Sequence, residues 1–426
     1  MKILLIGSGG REHTLAWKIL QSPLCTQLFI APGNAGTAGI CSVLDIAITN
    51  FEGLAEACIK NSIEMVVVGP EEPLVKGITD FFKSNKNTSH IAVIGPAKIP
   101  AQLEGSKAFA KAFMQRHHIP TASYQEFSEA NYTQGVEYIA NHSLPIVLKA
   151  DGLAAGKGVL ICNTHQDALT EFESMIQKAK FGEAGKKVVV EQFLKGIEMS
   201  VFALTDGKDY VLLPEAKDYK RIGEDDTGLN TGGMGAVSPL PFFDEKLKAK
   251  VIDKIVKPTI DGLYKENMDY KGFVFFGLMI DNGEPYVIEY NCRMGDPETE
   301  VVIPRLQNDL VQLLLAAGNG TLNNIEILTD KRSAVATVAV SGGYPEEYQK
   351  GKTISGLHSS LPSNCLLFHA GTARAGDKIV TNGGRVLVST AFEDNINAAS
   401  ALSARVLEGI TFEGIYYRKD IGYEFK

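Results

Sequence analysis

Residues 285–300 read Pro-Tyr-Val-Ile-Glu-Tyr-Asn-Cys-Arg-Met-Gly-Asp-Pro-Glu-Thr-Glu. The first half alternates around an apolar run, the pattern of a β-strand. Residues two apart in a strand share a face, so Glu289, Asn291 and Arg293 are predicted to point the same way. A carboxylate and an amide carbonyl are hard oxygen ligands, suited to a Mg²⁺ ion that also holds nucleotide phosphates. The guanidinium can pair bidentately with a carboxylate or a phosphate. In isolation a solvated strand face with a surface ion pair fits equally well. Two features upstream, in compatible order, favour the nucleotide reading.

The first is Leu103-Glu104-Gly105-Ser106-Lys107, which opens a helical stretch to about His117. The second runs from Ile146 to Cys162 through Lys149, Gly152, Gly156 and Gly158, and reads as strand, glycine-rich loop, strand. Backbone N–H groups in such a loop can cradle phosphates, and glycines allow close approach. Lys149 supplies a compact cation. A plain hairpin with a loose tip is the bland alternative. A Walker-type loop is disfavoured. It needs four residues between its glycines, then Lys-Ser/Thr and a helix. Here three residues separate Gly152 from Gly156, and Lys157 is followed by Gly158.

Taken in order, Lys107, Lys149, the glycine-rich hairpin, Glu191-Gln192-Phe193-Leu194, Glu198 and Glu289-x-Asn291-x-Arg293 resemble the ATP-grasp enzymes. Longer strings resemble one family among them, the phosphoribosylamine–glycine ligases (glycinamide ribonucleotide synthetases). They are Gly7-Ser8-Gly9-Gly10-Arg11-Glu12-His13, Gly69 to Val75, Leu103 to Lys107, Lys149 to Gly158, Asn230 to Ala236, and Arg293 to Thr299. The resemblance runs from residue 1 to the C-terminus.

It implies an α/β fold of ATP-grasp architecture. An N-terminal doubly wound parallel-sheet domain would span 1–101. A central α+β catalytic domain would comprise 102–122 and 190–325, a mobile lid module 123–189, and a mostly β C-terminal domain 328–426. The implied reaction joins glycine to 5-phosphoribosylamine with ATP, through glycyl phosphate, giving glycinamide ribonucleotide, ADP and phosphate in purine synthesis. The implied cofactors are ATP and Mg²⁺ or Mn²⁺.

The resemblance also assigns roles. Glu289 and Asn291 would hold the metal. Lys107 and Lys149 would contact phosphate oxygens, with Gly152, Gly156 and Gly158 in the mobile loop. Glu191, Phe193 and Leu194 would flank adenine, and Glu198 would accept from the ribose hydroxyls. Arg293, with Asp296 nearby, would hold substrate or the transferring phosphoryl group. Asp218, Lys220 and Arg221 precede Gly232-Gly233-Met234, a loop expected to close on glycine and acyl phosphate. An exposed charged turn is the alternative for 218–221. Gly9, Gly10, Arg11 and Glu12 would help bind the phosphoribosyl substrate. His13 fits packing or an anion contact at a helix start better than a general base.

Two positions depart from the family pattern. Gly277 stands where many ATP-grasp enzymes carry a second metal carboxylate. Tyr219 stands in Lys217-Asp218-Tyr219-Lys220-Arg221 where relatives usually have histidine, and a tyrosine cannot move a histidine's proton at neutral pH.

Composition sets bounds. The 426 residues suit about three domains, and 45% hydrophobic with 22% charged residues fits a globular protein. A net charge of −8 without a dense basic run argues against nucleic acid as a partner. No apolar stretch is long enough to span a bilayer. The chain enters a strand at once, Lys2 to Ile6, without a secretory leader. Six scattered cysteines without a Cys-x-x-Cys pair fit a reduced, cytoplasmic protein. Cys292, alternating to the other face of its strand, reads as a packing residue. A monomer or weak homodimer with no obligatory protein partner is expected.

Residues 1–100 alternate strand and helix patterns, the signature of a doubly wound sheet. One helix is predicted over Gly77–Lys83 and one over Lys246–Asn267. The C-terminal part is predicted to hold strands at 334–340, 366–372, 378–381, 385–390 and 414–419, with a hairpin turn at Asn382-Gly383-Gly384. It carries no chemical motif and reads as structural, completing a cleft. Gly7-x-Gly9 tempts a dinucleotide reading, but Glu12 stands where the third glycine belongs and no acidic ribose ligand follows the next strand. Competing functions are another ATP-grasp enzyme (a phosphoribosyl carboxylase or formate-dependent transferase), an NAD-dependent dehydrogenase, and a nucleotide-binding regulator without turnover.

Overall fold

The structure is a computed structural model that describes residues 1–152, 158–178, 180, 186–357 and 360–425. Short runs of Val, Ile and Leu alternate with helices at the start: β1 (Lys2–Gly7), α1 (Gly10–Ile19), β2 (Gln27–Pro32), β3 (Ser42–Val43), α2 (Phe51–Asn61), β4 (Met65–Val68), α3 (Glu71–Lys76), α4 (Ile78–Ser84) and β5 (Ala92–Ile94). The strands are parallel, in the order β3-β2-β1-β4-β5. Leu4, Ile6, Val66 and Val68 enter one core, and Ile3, Leu5, Met65 and Val67 enter another. Both faces being covered, the strands read as unbroken apolar runs. Strand order reverses beside β1, so the binding crevice lies beyond the carboxyl ends of β1 and β4. The helix predicted at 77–83 is α4, and an unpredicted short helix, α3, precedes it across Gly77 at φ +94°.

The helical stretch after residue 101 is broken into α5 (Gln102–Gly105) and α6 (Lys107–Arg116). Ser106 is extended between them, and its hydroxyl caps α6 by accepting from Phe109 N–H at 3.1 Å. A four-stranded antiparallel sheet follows, built from β6 (Tyr124–Ser128), α7 (Tyr132–Ala140), β7 (Ile146–Ala150), β8 (Val159–Cys162), α8 (His165–Ile176) and β9 (Lys187–Gln192). Its order is β6-β9-β7-β8, and it has its own core around Phe127, Ile139, Leu148, Phe172 and Val190. The glycine-rich hairpin pairs as expected, Ile146 against Cys162. Gly152 and Gly158 stand at its two ends; Gly156 lies outside the described residues.

The remaining chain builds β10 (Ile197–Thr205), β11 (Tyr210–Asp218), β12 (Arg221–Gly223), β13 (Thr227–Asn230), β14 (Gly235–Ser238), α9 (Glu245–Val251), α10 (Lys257–Lys265), β15 (Gly272–Asp281), β16 (Glu284–Asn291), α11 (Thr299–Arg305), α12 (Leu310–Asn319), β17 (Ser333–Val340), β18 (Cys365–His369), β19 (Thr372–Ala375), β20 (Lys378–Thr381), β21 (Arg385–Glu393) and α13 (Ile396–Glu408). Eight of these strands form one antiparallel sheet, β16-β15-β10-β11-β14-β17-β21-β18. The C-terminal strands therefore continue the central sheet through the β14–β17 pairing.

Three sequence expectations need correction here. The helix over 246–267 contains a π-type turn at Ile252–Val256, next to Pro258, which brings no N–H to the helical ladder. Asn382–Gly384 is not a hairpin turn: β20 pairs with β19, while β21 pairs with β17 and β18. Residues 414–419 form no strand. Tyr416 alone bridges to Val340, and Gly414 at φ +78° turns the chain just before it.

Candidate active site

The β15–β16 ladder carries a bulge. Gly277 faces Glu289 and Leu278 faces Val287, which leaves Ile288 unpaired. The Ile288 carbonyl accepts from Lys149 Nζ at 3.1 Å. A Cβ on Gly277 would stand 3.0 Å from Glu289 Cγ, so the glycine makes room for that side chain. Asn291 satisfies its hydrogen bonds when its amide nitrogen faces Glu104 Oε1 (3.0 Å) and the Tyr290 carbonyl (3.1 Å). Its amide oxygen is then free to serve as a ligand. Arg293 lies past the strand end, with Nη2 2.7 Å from Glu104 Oε1 and Nε 3.3 Å from Glu71 Oε2. Asn291 and Arg293 thus share Glu104, and the guanidinium is already engaged by two carboxylates. Glu104 also accepts the Cys292 N–H at 2.7 Å. Burial pushes its carboxyl up to about 7, against the pull of Arg293. Cys292 is buried, as its alternation predicts.

Around this edge stand the lysines. Lys149 and Lys111 both lie 3.1 Å from Glu191 Oε2, and all three side chains are buried. Burial lowers Lys111 to about 8, although Glu191 opposes the shift. Glu191 Oε1 finds no hydrogen-bond partner among the described residues. Phe193 and Leu194 follow the end of β9, half-buried. Lys107 donates to the Gly152 carbonyl at 2.8 Å. Burial lowers its pKa while Glu289 raises it and Lys149 lowers it further, which places the three charges within mutual reach. Asp151 ties the hairpin to α6, accepting from Ser106 Oγ at 2.9 Å and Ala108 N–H at 3.2 Å.

Opposite lie Glu198 and Lys220, paired at 2.6 Å and half-exposed. Lys220 holds the Glu198 carboxyl below its usual range. Lys220 is itself raised: burial opposes the charge, but Asp218, Glu198 and Glu289 outweigh it. Burial raises Asp218, with Lys220 opposing and Glu198 adding to the shift. Glu298 is pushed to about 8 by burial and then by Asp218. These shifts bring Asp218, Lys220, Glu198, Glu289 and Glu298 into one electrostatic neighbourhood. Arg221 turns away to donate to the Gly228 carbonyl at 2.8 Å.

The N-terminal glycines serve a different purpose from a dinucleotide loop. A Cβ on Gly7 or Gly69 would meet the Glu12 side chain at 2.5 Å or less, and one on Gly10 would meet Glu300 Oε1. The crevice beyond β1 and β4 is therefore filled by Glu12. Its Oε2 accepts the Gly9 N–H at 2.6 Å, and its Oε1 pairs with Arg11 Nε at 2.6 Å. Asp296 Oδ2 accepts the Arg11 N–H at 3.3 Å at the start of α1. His13 is no base. Its Nδ1 accepts the His369 N–H at 2.8 Å, and burial lowers it to about 3. Beside this knot is a cavity of about 340 Å³, whose walls include Ser8, Gly9, Asn34, Asp296, Tyr344 and Arg385. Tyr344 and Arg385 come from the part of the chain that shows no motif. Arg385 Nη1 donates to the Gly232 carbonyl (2.6 Å) and the Asp296 carbonyl (2.7 Å), and the Tyr344 hydroxyl accepts the Gly232 N–H (2.9 Å). Gly233 packs on Pro297, and Met234 is fully buried.

Tyr219 faces away from all of this. Strand alternation sends Asp218 and Lys220 toward the acids and Lys217 and Tyr219 to the other side. There the Tyr219 hydroxyl donates to Glu424 at 2.7 Å, with Lys217 4.0 Å above the ring. Sequence reasoning missed Glu71, Glu104 and Glu298, although each lies inside a quoted motif. It missed Tyr344 and Arg385 for want of any local signal.

Among the described residues no group of three or more His, Cys, Asp and Glu is placed to hold a metal. Glu289 and the Asn291 oxygen could serve as a two-ligand set. Such a set suits Mg²⁺, which keeps waters and takes the rest of its shell from substrate phosphates, and does not suit a closed zinc site. Two antiparallel sheets, the buried Lys149 and Lys111 on Glu191, and a carboxylate-amide pair at the end of β16 define an ATP-grasp protein.

Family models agree on its kind. The Phosphoribosylglycinamide synthetase N domain matches residues 1–104, the ATP-grasp (A) domain 105–299 and the C domain 334–424. A phosphoribosylamine–glycine ligase of Haemophilus influenzae is 46% identical over 99% of this chain and 98% of its own length. The crystal structure of a phosphoribosylamine–glycine ligase from Thermotoga maritima superposes with a TM-score of 0.84 at 34% identity, covering 99% of this chain and all of that one. The biotin carboxylase domain of Hydrogenobacter thermophilus 2-oxoglutarate carboxylase shares the fold, with TM-score 0.73 at 15% identity over 99% and 92% of the two chains. The chain belongs to the phosphoribosylamine–glycine ligase family.

Proposed function

We propose that this chain joins glycine to 5-phosphoribosylamine at the expense of ATP, releasing glycinamide ribonucleotide, ADP and phosphate in purine synthesis. The carrying observation is the continuity of β16 with the loop after it. Glu289 lies within electrostatic reach of Lys107, as Lys149 does, and a few residues on Asp296 walls the 340 Å³ cavity. One stretch of chain thus serves a nucleotide side and a second substrate side.

A carboxylate is a poor electrophile, so it needs activation. A glycine carboxylate oxygen attacks the γ-phosphorus, ADP departs, and glycyl phosphate forms. The phosphoribosylamine nitrogen then attacks the acyl carbon. The C–O bond to phosphate breaks and the amine loses a proton. The protein contributes position and charge. Lys107 and Lys149 neutralise phosphate oxygens, with Gly152 and Gly158 at the ends of the glycine-rich hairpin; Gly156, assigned to the same loop by the resemblance, lies outside the described residues. Glu289 and Asn291 would hold Mg²⁺ or Mn²⁺, which would neutralise phosphate charge when bound. The adenine edge lies along Glu191, Phe193 and Leu194, with the unpartnered Glu191 Oε1 as an acceptor, and Glu198 takes the ribose hydroxyls. Asp218 receives the glycine ammonium. Arg293, held by Glu71 and Glu104, sits behind the metal ligands and reaches the phosphoryl group only by exchanging a carboxylate for it. Gly9, Gly10, Arg11, Glu12 and Asp296 bound the phosphoribosylamine side, and Gly232–Met234 lies between the two.

On this reading residues 123–189 are a lid over 102–122 and 190–325, with 1–101 and 328–426 closing the amine side, and the chain acts in the cytoplasm without an obligatory protein partner. Among the described residues no helix is long and apolar enough to cross a membrane. Glycine labelled with ¹⁸O in its carboxylate tests the chemistry. Inorganic phosphate should carry one labelled oxygen per turnover. Unlabelled phosphate would rule out the acyl phosphate.

A further inference from the structure

The loop Thr231–Met234 has its hydrogen bonds divided between two sides of the molecule. On one side its backbone returns to the Asp218–Lys220 strand. Thr231 N–H and Oγ1 donate to the Lys220 carbonyl at 2.7 and 2.8 Å, Thr231 Oγ1 accepts the Gly233 N–H at 2.9 Å, and Met234 N–H donates to the Tyr219 carbonyl at 2.7 Å. On the other side Gly232 is gripped at both polar atoms by the cavity wall: its N–H by Tyr344 Oη, its carbonyl by Arg385 Nη1. The same Arg385 nitrogen holds the Asp296 carbonyl and pairs with the Asp296 carboxylate at 3.1 Å. There is no slack in the grip. A Cβ on Gly232 would stand 3.0 Å from Arg385 Cζ, and one on Gly233 would stand 2.4 Å from Pro297 Cδ. A hydrogen-bonded chain therefore runs from Tyr344 and Arg385, through Gly232 and Thr231, to Lys220 and its partner Glu198.

We propose that Tyr344 and Arg385 are positioning residues for acyl transfer, which fix loop 231–234 so that glycyl phosphate formed beside Lys220 meets the amine in the cavity and not water. The inference rests on the ligase reading above. Arg385 is suited to the task because its planar guanidinium is always charged and presents its donors in a fixed orientation, whereas a lysine ammonium is a point charge on a flexible stem. Tyr344 supplies a rigid acceptor on a ring rather than a flexible chain. With the clamp loosened, the first step still has its lysines and carboxylates, but the second loses its geometry. Glycyl phosphate then hydrolyses: water oxygen attacks the acyl carbon, phosphate leaves, and glycine is regenerated.

The test measures ADP and glycinamide ribonucleotide in the same reaction for the full chain, Arg385→Gln, Arg385→Lys and Tyr344→Phe. The unaltered chain should give one ADP per ligated product. Arg385→Gln should lower product formation on the order of 10²-fold, the scale of an ångström misplacement, while glycine-dependent ADP release falls much less. ADP would then exceed product several-fold. Arg385→Lys should recover only part of the coupling. Tyr344→Phe removes a single hydroxyl and keeps the packing, so it decides the matter if Arg385→Gln fails to fold; it should also show excess ADP. Stoichiometric ADP and product in Tyr344→Phe and in every folded Arg385 variant, at whatever rate, would overturn the inference. Failure of the unaltered chain to form product would instead sink the ligase reading on which it rests.

Discussion

Glu289 keeps its place because residue 277 has no side chain. The space a second carboxylate would need is taken by Glu289 Cγ, 3.0 Å from where that Cβ would stand. Glu289→Ala should therefore remove the only carboxylate of the metal pair and lower Mg²⁺-dependent turnover on the order of 10²–10³-fold, with an unchanged thermal transition. Near-normal activity would take it out of the metal site. Lys149→Met should slow the chemistry or weaken ATP by about 10²-fold, and it leaves Glu191 buried beside Lys111 alone. Unchanged steady-state kinetics would contradict the phosphate assignment. A pH effect follows from the histidine pair. Burial lowers His13 to about 3 and His369 to about 4, whereas in the unfolded chain both take up protons near 6.5. The unfolded state binds more protons below that value, so stability is lost as pH falls from about 6.5 toward 4. The slope approaches roughly 1.4 kcal/mol per pH unit for each histidine. Denaturant midpoints should drop across that range, and His13→Gln should flatten the drop. An equal slope in that variant would show that other groups carry it.

Among the elements, the least expected is the C-terminal segment. Arg418 is fully buried, 2.6 Å from Asp226 and 2.8 Å from Asp420, while Glu424 holds both Lys217 at 2.9 Å and the Tyr219 hydroxyl. This segment pins the β12–β13 ribbon and the back of the strand that presents Asp218 and Lys220. Arg418→Ala strands two carboxylates and should cost about 3 kcal/mol, read as a lowered unfolding midpoint. Tyr219→Phe should cost about 1 kcal/mol and leave the pH profile of kcat unmoved, because its hydroxyl faces Glu424; a shifted profile would mean the residue acts in proton transfer. Periodicity found the parallel sheet, the hairpin β7–β8 and β16, since each advertises itself within a few residues. It could not find the β16 bulge, the short helix α3, or the failure of 414–419 to form a strand. In the last case Gly414 at φ +78° turns the chain, and Arg418 pairs with Asp420 nearby and with Asp226, 192 positions away.

At the scale of the whole molecule, the motif-bearing residues lie on the carboxyl ends of β1 and β4, on α5 and α6, and around β7–β9 and β14–β16. What could not be read was which of them pair. Glu104 and Arg293 are 2.7 Å apart though 189 positions separate them, and no local pattern records that. The C-terminal strands looked inert because Tyr344 and Arg385 act through the backbone of a distant loop. The full-length family match sets aside the carboxylase and formate-transferase readings, and Glu12 filling the crevice beyond β1 sets aside a dinucleotide there. The decisive measurement is ADP release with Mg²⁺-ATP, glycine and phosphoribosylamine generated in situ, omitting each in turn. Full turnover should need all three, and no other amino acid should replace glycine. ADP that instead required formate or bicarbonate, or none under any combination, would contradict the ligase assignment.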